Sequence, residues 1–392
     1  MRSAEPTPLL GGRTTHLEVA RAIPLRDSRA QFARIAGEVT ARAGEVLASG
    51  TYMNGAEVHG FESEFATYCG VTHVIGVASG TDALRLALGA VGAGPGDEVI
   101  TASHGFIDTA EAIVHVGATP RFVDVEPATG NIDHSKLEAA VTERTIAVVP
   151  VHLYGRPAEM DTIMEIAGRY GLAVIENASE AHGARYKGET VGSLGDLACF
   201  SFSPNKNLGA YGDGGAVTTD SFELAAKVRL LAQHGSTADG IHSVIGWNSR
   251  LDELQAAVLR IKLVHLDEEN RCRQAVAEIY RELLEDLPGV DLPLHDAHPG
   301  NQSANHRFVV RCAGREAVRS ALAAEGIATG CHYAVPIHMQ PAFTDRCGAP
   351  PLKTTESWAA SCLSLPMFPE LSRADIQRVA GALRAVIQPQ AH

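Results

Sequence analysis

The chain has 392 residues, of which 45% are hydrophobic and 20% charged, so it can bury a large core and is expected to form two domains. Its 46 Asp and Glu outnumber 33 Lys and Arg, and the formal net charge of −13 disfavours a nucleic-acid or anionic-membrane partner. Seven scattered cysteines without a C-x-x-C pair argue against a disulfide framework and a zinc site. Without an export signal, an apolar run of membrane-spanning length or a histidine metal motif, the sequence predicts a metal-free cytoplasmic protein.

Strand-like and helix-like segments alternate along most of the chain. Residues 1–30 are expected to form a loosely packed N-terminal arm, residues 31–265 a large domain and residues 266–392 a smaller C-terminal domain. Repeated strand–helix units build a mostly parallel sheet that gathers ligands at the carboxyl ends of its strands. The predicted strands are Val71–Val77, Glu98–Ala102, Arg121–Val125, Ile146–Val151, Leu172–Glu176, Leu197–Phe202, Gly215–Thr219 and Arg307–Arg311. The predicted helices are 31–48, Val58–Tyr68, one from Asp82, Thr109–Gly117, Asp133–Glu143, Ala158–Gly171, 221–234, one long helix opened by Gly246–Gln255 and running past Leu266, Arg315–Glu325 and Ala374–Ile387.

Gly80 and Thr81 stand at a predicted helix start directly after a strand. A helix start exposes unpaired N–H groups and the positive end of the helix dipole, and a glycine lets a phosphate approach the backbone closely. Ser79, Gly80 and Thr81 are therefore a candidate phosphate cup, although helix capping alone would explain the same residues. The segment matches neither the P-loop nor G-x-G-x-x-G, so it lacks the fingerprints of nucleoside-triphosphate and dinucleotide sites.

Lys206 lies in a predicted glycine-rich turn between the strands Leu197–Phe202 and Gly215–Thr219. Pro204 and several glycines mark a turn with unusual backbone angles. A lysine held there is a candidate Schiff-base nucleophile, and a solvated loop lysine is the plain alternative. Residues at five strand ends are expected to converge on one cleft, namely Ser79 to Thr81, His104 to Phe106, His152 and Tyr154, Asn177 to His182, and Ser201 to Lys206.

Six segments together carry a family resemblance. They are Ser79–Leu84, Val151–Gly155, Glu180–Ala184, Ser201–Gly215, Gly246–Leu251 and Pro336–Ala342. In this order and spacing they resemble the fold-type I aminotransferases that depend on pyridoxal 5′-phosphate (PLP), and specifically the DegT/DnrJ/StrS family of nucleotide-sugar aminotransferases. The resemblance runs from about Thr51 to Leu371. It implies an α/β fold with a mostly parallel central sheet flanked by helices and a smaller C-terminal α+β domain.

The resemblance also implies roles for single residues around the cofactor. It implies that Lys206 bonds covalently to PLP and then carries a proton between the substrate carbon and the cofactor. Gly80, Thr81 and Ser201 are implied to hold the phosphate group. Asn248 is implied to reach the same phosphate from the neighbouring subunit of a homodimer with shared active sites.

Three further residues at the strand ends have weaker support. The resemblance implies that Phe106 lies against the face of the cofactor ring, and an ordinary core phenylalanine is the alternative. Tyr154 and His182 are candidates for the same site, and structural roles would explain both.

The chain departs from the family at two positions. The family usually reads Glu-Asp-x-x-Gln where this chain has Glu176-Asn-Ala-Ser-Glu180. The usual aspartate pairs with the protonated pyridine nitrogen, so Asn177, a neutral amide, should leave the ring a weaker electron sink. We expect Glu180 to take over part of the missing charge, with altered chemistry as the alternative.

The implied activity is transfer of an amino group from L-glutamate or L-glutamine to a keto-sugar nucleotide. Gly330–Gln340 resembles the branch that acts on 3-keto-6-deoxyhexoses carried on thymidine diphosphate, whereas neighbouring branches use 4-keto sugars or keto-inositols. Such enzymes serve amino-sugar and antibiotic biosynthesis. Two alternatives stay open: a dehydratase-like PLP enzyme, against which Lys206 counts, and a PLP-binding paralogue without turnover.

Overall fold

The structure is a computed structural model that describes residues 21–237, 240–294, 300–344 and 351–388. The first 20 residues of the predicted N-terminal arm lie outside the described residues. No helix within these ranges combines the length and the apolar character that a membrane crossing requires.

A seven-stranded sheet forms the centre of the molecule. The strands of the whole described chain, in this sheet and in two smaller ones, are β1 (His73–Val77), β2 (Glu98–Ala102), β3 (Thr119–Val123), β4 (Thr145–Val149), β5 (Ala173–Asn177), β6 (Arg185–Tyr186), β7 (Glu189–Thr190), β8 (Leu197–Ser201), β9 (Gly215–Thr219), β10 (Val290–Asp291), β11 (Phe308–Cys312) and β12 (Cys362–Leu365). The order in the central sheet is β1-β9-β8-β5-β4-β2-β3. All neighbours are parallel except β9, which runs antiparallel to both β1 and β8. The prediction of a mostly parallel sheet is confirmed.

Helices cover both faces of this sheet. The helices of the described chain, including those of the C-terminal part, are α1 (Ser28–Ser49), α2 (Ala56–Cys69), α3 (Gly80–Ala90), α4 (Asp108–His115), α5 (Leu137–Ala140), α6 (Met160–Tyr170), α7 (Phe222–Ala232), α8 (Glu253–Leu263), α9 (Leu266–Leu284), α10 (Arg315–Ala324), α11 (Lys353–Ser361) and α12 (Arg373–Ile387). Helices α3, α4 and α7 share one apolar core with the sheet. Helices α2, α6 and α8 cover the opposite face. Strand β8 shows how this works, because Leu197 and Cys199 face the first core while Ala198 and Phe200 face the second.

A second, antiparallel sheet of three strands lies in the C-terminal part, in the order β10-β11-β12. Helices α9, α10 and α12 bury their apolar faces with it in one core, which includes Tyr280, Phe308 and Leu363. Ile23 joins the same core and pairs with Ile327, so the described end of the predicted arm packs on this part of the chain. The domain boundary between residues 265 and 266 stays a prediction.

Two helix predictions are wrong. The helix expected over Asp133–Glu143 is a 3-10 turn, His134–Lys136, followed by the single turn of α5. The long helix expected through Leu266 is two helices, α8 and α9, which separate at Val264 and His265. Helix α8 packs on the core of the central sheet, whereas α9 packs on the C-terminal core. Because the chain breaks here, α8 and α9 can pack on two different cores. Val264, at the corner between them, is 81% exposed.

Candidate active site

The start of α3, directly after β1, lies against the carboxyl end of β8 and forms a narrow cradle with it. Ser79 caps α3 by accepting a hydrogen bond from Asp82 N (3.1 Å). A Cβ placed on Gly80 would lie 2.5 Å from the Cβ of Ser201, so only glycine fits there. Within the described part of the chain, the N–H groups of Gly80 and Thr81 donate no hydrogen bond. Together with the helix dipole they form a site suited to an anion the size of a phosphate group.

Lys206 lies on the turn that joins β8 to β9, beyond the cradle. Its N–H donates to Ser203 O (2.9 Å), while its side-chain amine makes no hydrogen bond with any described residue. The amine lies 3.7 Å from Glu180 Oε1, and the side chain is only 16% exposed. Burial lowers the pKa of Lys206, and the negative charges of Glu180 and Asp108 oppose that shift.

Glu180 is a buried carboxylate held by donors on several sides. Oε2 accepts a hydrogen bond from Tyr154 N (2.9 Å), and Oε1 accepts one from the Tyr333 hydroxyl (3.2 Å). His306 Nε2 and Arg307 Nε each lie 3.6 Å from Oε1. Burial alone would raise the pKa of this carboxyl, but the charges of Lys206 and Arg307 and the Tyr154 N–H lower it to about 2. Glu180 is therefore ionised at neutral pH.

Asn177 ends β5 and is tied to the start of α4. Its amide nitrogen donates to Thr109 Oγ1 (2.8 Å), and its oxygen accepts a hydrogen bond from Ser179 N (3.1 Å). Asp108 Oδ1 accepts hydrogen bonds from Thr109 N (2.8 Å) and, at 3.4 Å, from the Thr109 hydroxyl. Burial raises the pKa of Asp108 to about 6, although the charge of Lys206 opposes the rise. The end of β5 and the start of α4 thus carry an amide and a carboxylate joined through one hydroxyl.

Phe106 lies at the rim of the cleft and is 57% exposed. Its ring centre is 6.0 Å from that of Tyr333. The alternative interpretation of Phe106 as a core residue is therefore wrong, and its contact with a cofactor stays a prediction.

Tyr154 has hydrogen-bond partners that explain it structurally, whereas both ring nitrogens of His182 are buried without a hydrogen-bond partner among the described residues. The Tyr154 hydroxyl bonds to His104 Nε2 (2.8 Å) and donates to the His332 carbonyl. His182 is fully buried with its ring against Phe200, and burial lowers its pKa to about 3.

Asn248 is the predicted site residue that stands apart from the others. It is exposed on the segment before α8, and its backbone pairs with Gln233. The next residue, Ser249, is buried and accepts a hydrogen bond from Ala78 N (3.1 Å). Asn248 therefore lies outside the cluster formed within one chain, and its role toward a neighbouring subunit stays a prediction.

Sequence reasoning missed several charged residues at the site. Arg26 donates to Asn205 O (3.0 Å), directly before Lys206, and burial beside Arg307 lowers its pKa to about 10. Arg307 Nε is buried and has no hydrogen-bond partner among the described residues. Neither arginine belongs to a motif, because one lies in the predicted arm and the other at the start of a predicted strand. Asp108 gave a detectable signal, since a charged residue interrupts the apolar sequence around Phe106.

The residues present fit PLP. The Gly80 cradle is closed to any side chain but leaves two N–H groups for a phosphate, and a buried amine with a lowered pKa lies beyond it. The hydroxyl of Ser179, in the segment that follows β5, is buried without a hydrogen-bond partner in the described ranges. A phosphate-bearing aldehyde with polar ring substituents matches this set of groups.

Comparison with known proteins gives consistent matches over most of the chain. The sequence model of the DegT/DnrJ/EryC1/StrS aminotransferase family matches residues 33–384. The dTDP-3-amino-3,4,6-trideoxy-alpha-D-glucose transaminase of Streptomyces venezuelae is 47% identical over 92% of this chain and 95% of its own length. The UDP-N-acetyl-3-dehydro-alpha-D-glucosamine 3-aminotransferase of Acidithiobacillus ferrooxidans is 46% identical over 93% and 98%. The crystal structure of S. venezuelae DesV superposes with a TM-score of 0.90 at 46% identity and covers 94% of this chain and 99% of DesV.

Proposed function

The chain belongs to the DegT/DnrJ/EryC1/StrS aminotransferase family, and from this premise we propose that it uses PLP to move an amino group from L-glutamate or L-glutamine to a dTDP-linked 3-keto-6-deoxyhexose. The observation that carries the proposal is the buried amine of Lys206, which lies 3.7 Å from the ionised Glu180 on the turn that follows β8, the strand whose last residue, Ser201, lines the phosphate cradle. The reaction belongs to amino-sugar biosynthesis, and the proposed location is the cytoplasm.

Lys206 is the proposed catalytic residue. When bound, PLP supplies an electrophilic aldehyde carbon and an electron-withdrawing ring. Burial lowers the pKa of Lys206, so its amine can accept a proton at Nζ and return it. Glu180 keeps a fixed negative charge 3.7 Å away and so stabilises the protonated amine when it forms.

The phosphate group is assigned to the cradle. The N–H groups of Gly80 and Thr81 point out of the first turn of α3, where the helix dipole favours negative charge. The Ser201 hydroxyl is the proposed third donor, because Ser201 lies against Gly80. A phosphate held there would leave the Lys206 amine for the aldehyde.

Arg26 and Arg307 are proposed to bind the carboxylates of the amino donor. The protein carries a net charge of −13, so an anionic substrate needs local cations to overcome the general repulsion. Arg307 has a buried Nε without a hydrogen-bond partner in the described part, and Arg26 lies beside Lys206. Arg307→Gln should raise KM for glutamate about 10- to 100-fold. Arg169→Gln, which changes an exposed arginine on α6, is the control and should leave KM unchanged.

The choice of a 3-keto sugar on dTDP is supported by the names of the relatives. The S. venezuelae relative is named for a dTDP-linked 3-amino sugar, and the A. ferrooxidans relative for a UDP-linked sugar with a 3-keto group. Both names agree on the carbon and differ in the nucleotide. A panel of dTDP- and UDP-linked 3-keto and 4-keto sugars, each incubated with glutamate and PLP, separates these possibilities. Release of 2-oxoglutarate with one dTDP-linked 3-keto sugar supports the proposal, and release only with a 4-keto sugar contradicts it.

Covalent labelling tests Lys206 without any substrate. Borohydride reduction of the PLP-loaded protein should leave a pyridoxyl group on the peptide that contains Lys206. A label on another lysine, or no label, contradicts the proposal. A bound cofactor without release of 2-oxoglutarate from glutamate or of 2-oxoglutaramate from glutamine would favour a non-transaminating enzyme or a paralogue without turnover.

The second part of the proposal is a homodimer in which Asn248 completes the partner's phosphate site. Asn248→Ala should weaken PLP binding about tenfold, the effect of one hydrogen bond to a charged group. Mixing this variant with Lys206→Ala tests the arrangement directly. If Asn248 acts across the interface, a hybrid dimer has one site with both residues intact and regains PLP affinity and turnover. If it acts within its own chain, every site in the hybrid lacks one of the two residues, so the sites that keep Lys206 still bind PLP about tenfold more weakly and turnover at limiting PLP is not restored.

A further inference from the structure

Asp108 is a buried carboxylate that the proposed mechanism does not use. It is the first residue of α4 and is 8% exposed. One oxygen, Oδ1, accepts the hydrogen bonds from Thr109, whereas Oδ2 accepts none from any described residue. No arginine or lysine within the described ranges forms an ion pair with it, although charged Lys206 and Glu180 are near enough to affect it electrostatically. A largely buried carboxylate with one oxygen that no described residue binds has that oxygen available for a ligand, and buried titratable groups of this kind gather at functional sites.

Asp108 is linked to Asn177, the residue at the usual aspartate position, through Thr109. Asn177 stands where the family resemblance predicts an aspartate, and its amide donates to Thr109, which in turn lies beside Asp108. The cofactor ring carries its aldehyde carbon and its nitrogen on opposite sides. With the aldehyde held at Lys206, Asn177 at the end of β5 and Asp108 at the start of α4 would be the polar residues available to hold the ring nitrogen.

Glu180, the other buried carboxylate, is committed elsewhere. Its two oxygens already accept hydrogen bonds from Tyr154 N and from the Tyr333 hydroxyl, and its charge faces Lys206, Arg307 and His306. Within the described ranges, Asp108 Oδ2 accepts no hydrogen bond and no cation forms an ion pair with it.

We propose that Asp108 supplies the negative charge that keeps the pyridine nitrogen of PLP protonated, in place of a carboxylate at position 177. Asn177 and Thr109 position this carboxylate: the Asn177 amide donates to the Thr109 hydroxyl, and Thr109 donates to Asp108 Oδ1. The ring thereby keeps its capacity as an electron sink despite the amide at 177. The inference rests on the proposed function, because it requires PLP in this cleft.

The test reads the protonation of the ring nitrogen directly. Protein saturated with ring-¹⁵N PLP is examined by NMR over a range of pH, since the nitrogen resonance distinguishes pyridinium from pyridine. In the wild type the nitrogen should be protonated at neutral pH. In Asp108→Asn its pKa should fall by about 1 to 3 units, the usual effect of removing an opposite charge at short range. Moving the carboxylate back, in Asp108→Asn with Asn177→Asp, should restore the protonated form.

Two controls give the outcome its meaning. Glu111→Gln removes a charge from the first turn of the same helix and should leave the ring nitrogen unchanged. Glu180→Gln should change it less than Asp108→Asn does. An unchanged nitrogen pKa in Asp108→Asn, an unprotonated nitrogen in the wild type, or a larger fall in Glu180→Gln would overturn the assignment of Asp108. Wild-type protein that takes up no PLP would instead overturn the proposed function itself.

Discussion

The two ends of the cleft contain the same functional group in opposite circumstances. At the outer end, Glu180 is surrounded by Lys206, Arg307 and hydrogen-bond donors, and its pKa falls to about 2. At the inner end, Asp108 has no cationic contact among the described residues, and its pKa rises to about 6. Both side chains are more than nine-tenths buried, so burial does not distinguish them. The neighbouring cations and hydrogen-bond donors decide whether the pKa of the buried carboxyl falls or rises. Glu180, with such partners, stabilises the fold, whereas Asp108 is the carboxylate that we propose to bind the cofactor.

Removing the amine at the outer end should have the largest effect. Lys206→Ala should lower kcat roughly 10⁴-fold or more, because it removes both the covalent anchor and the proton carrier. Turnover with glutamate is the measurement, and thermal unfolding checks that the fold is intact. Lys227→Ala, which removes an exposed lysine on α7, should leave the rate unchanged. A normal rate in Lys206→Ala would end its catalytic assignment.

Neutralising Glu180 should destabilise the protein. Its folded-state pKa of about 2 lies below the ordinary 4.5, so the ionised carboxylate stabilises the fold above about pH 4.5 and this contribution disappears as the pH falls toward 2. Glu180→Gln should therefore lower the free energy of unfolding by about 3 kcal/mol at neutral pH.

Urea unfolding of the PLP-free protein measures this change. The loss should shrink as the pH drops below 4.5. Glu138→Gln, in an exposed pair with Arg169, should cost less than about 1 kcal/mol. A loss in Glu180→Gln no larger than in this control would mean that the surrounding cations do not stabilise Glu180.

Neutralising Asp108 should act in the opposite direction. Its folded-state pKa of about 6 lies above the ordinary 3.8, so in the PLP-free protein the carboxylate lowers stability as the pH rises through this window. Asp108→Asn should raise the free energy of unfolding by as much as about 3 kcal/mol above pH 6 and by nothing below pH 3.8. Urea unfolding at several pH values is the measurement. A variant less stable than the wild type at high pH would contradict the contrast between the two carboxylates.

Phe106, at the rim beside Tyr333, should give the smallest effect. Phe106→Leu keeps an apolar side chain but removes the aromatic face, which is worth about 0.5–1.5 kcal/mol against another ring. PLP affinity should therefore fall about 2- to 10-fold, as measured by equilibrium dialysis. Protein stability should hardly change, because Phe106 is 57% exposed. Unchanged PLP affinity would remove Phe106 from the cofactor site.

Much of the scaffold could be predicted because its signals are local. Buried strands such as Glu98–Ala102 are short apolar runs bounded by turn residues, and the sequence places this one at its observed limits. The cradle follows from Gly80 and Thr81 after a strand, and the turn of Lys206 follows from its glycines. The close approach of Gly80 to Ser201 shows why glycine is needed at position 80.

The electrostatic part of the site could not be predicted, because it depends on distant contacts. Nothing in the sequence near Arg26 or Arg307 indicates that both approach Glu180. The end of α8 was missed for a similar reason, since no glycine or proline marks the corner at Val264. There the choice between two cores, rather than the local sequence, breaks the helix.

The antiparallel strand β9 sets a condition on how the protein is made. It inserts between β1 and β8, and Gly215 at its start lies so close to Ser79 that an added Cβ would be 2.3 Å from the Ser79 carbonyl oxygen. During translation, β1 is therefore complete long before β9, the strand that pairs with it, has been made. A chain that ends before β9 would therefore lack the strand that joins β1 to β8 in the sheet.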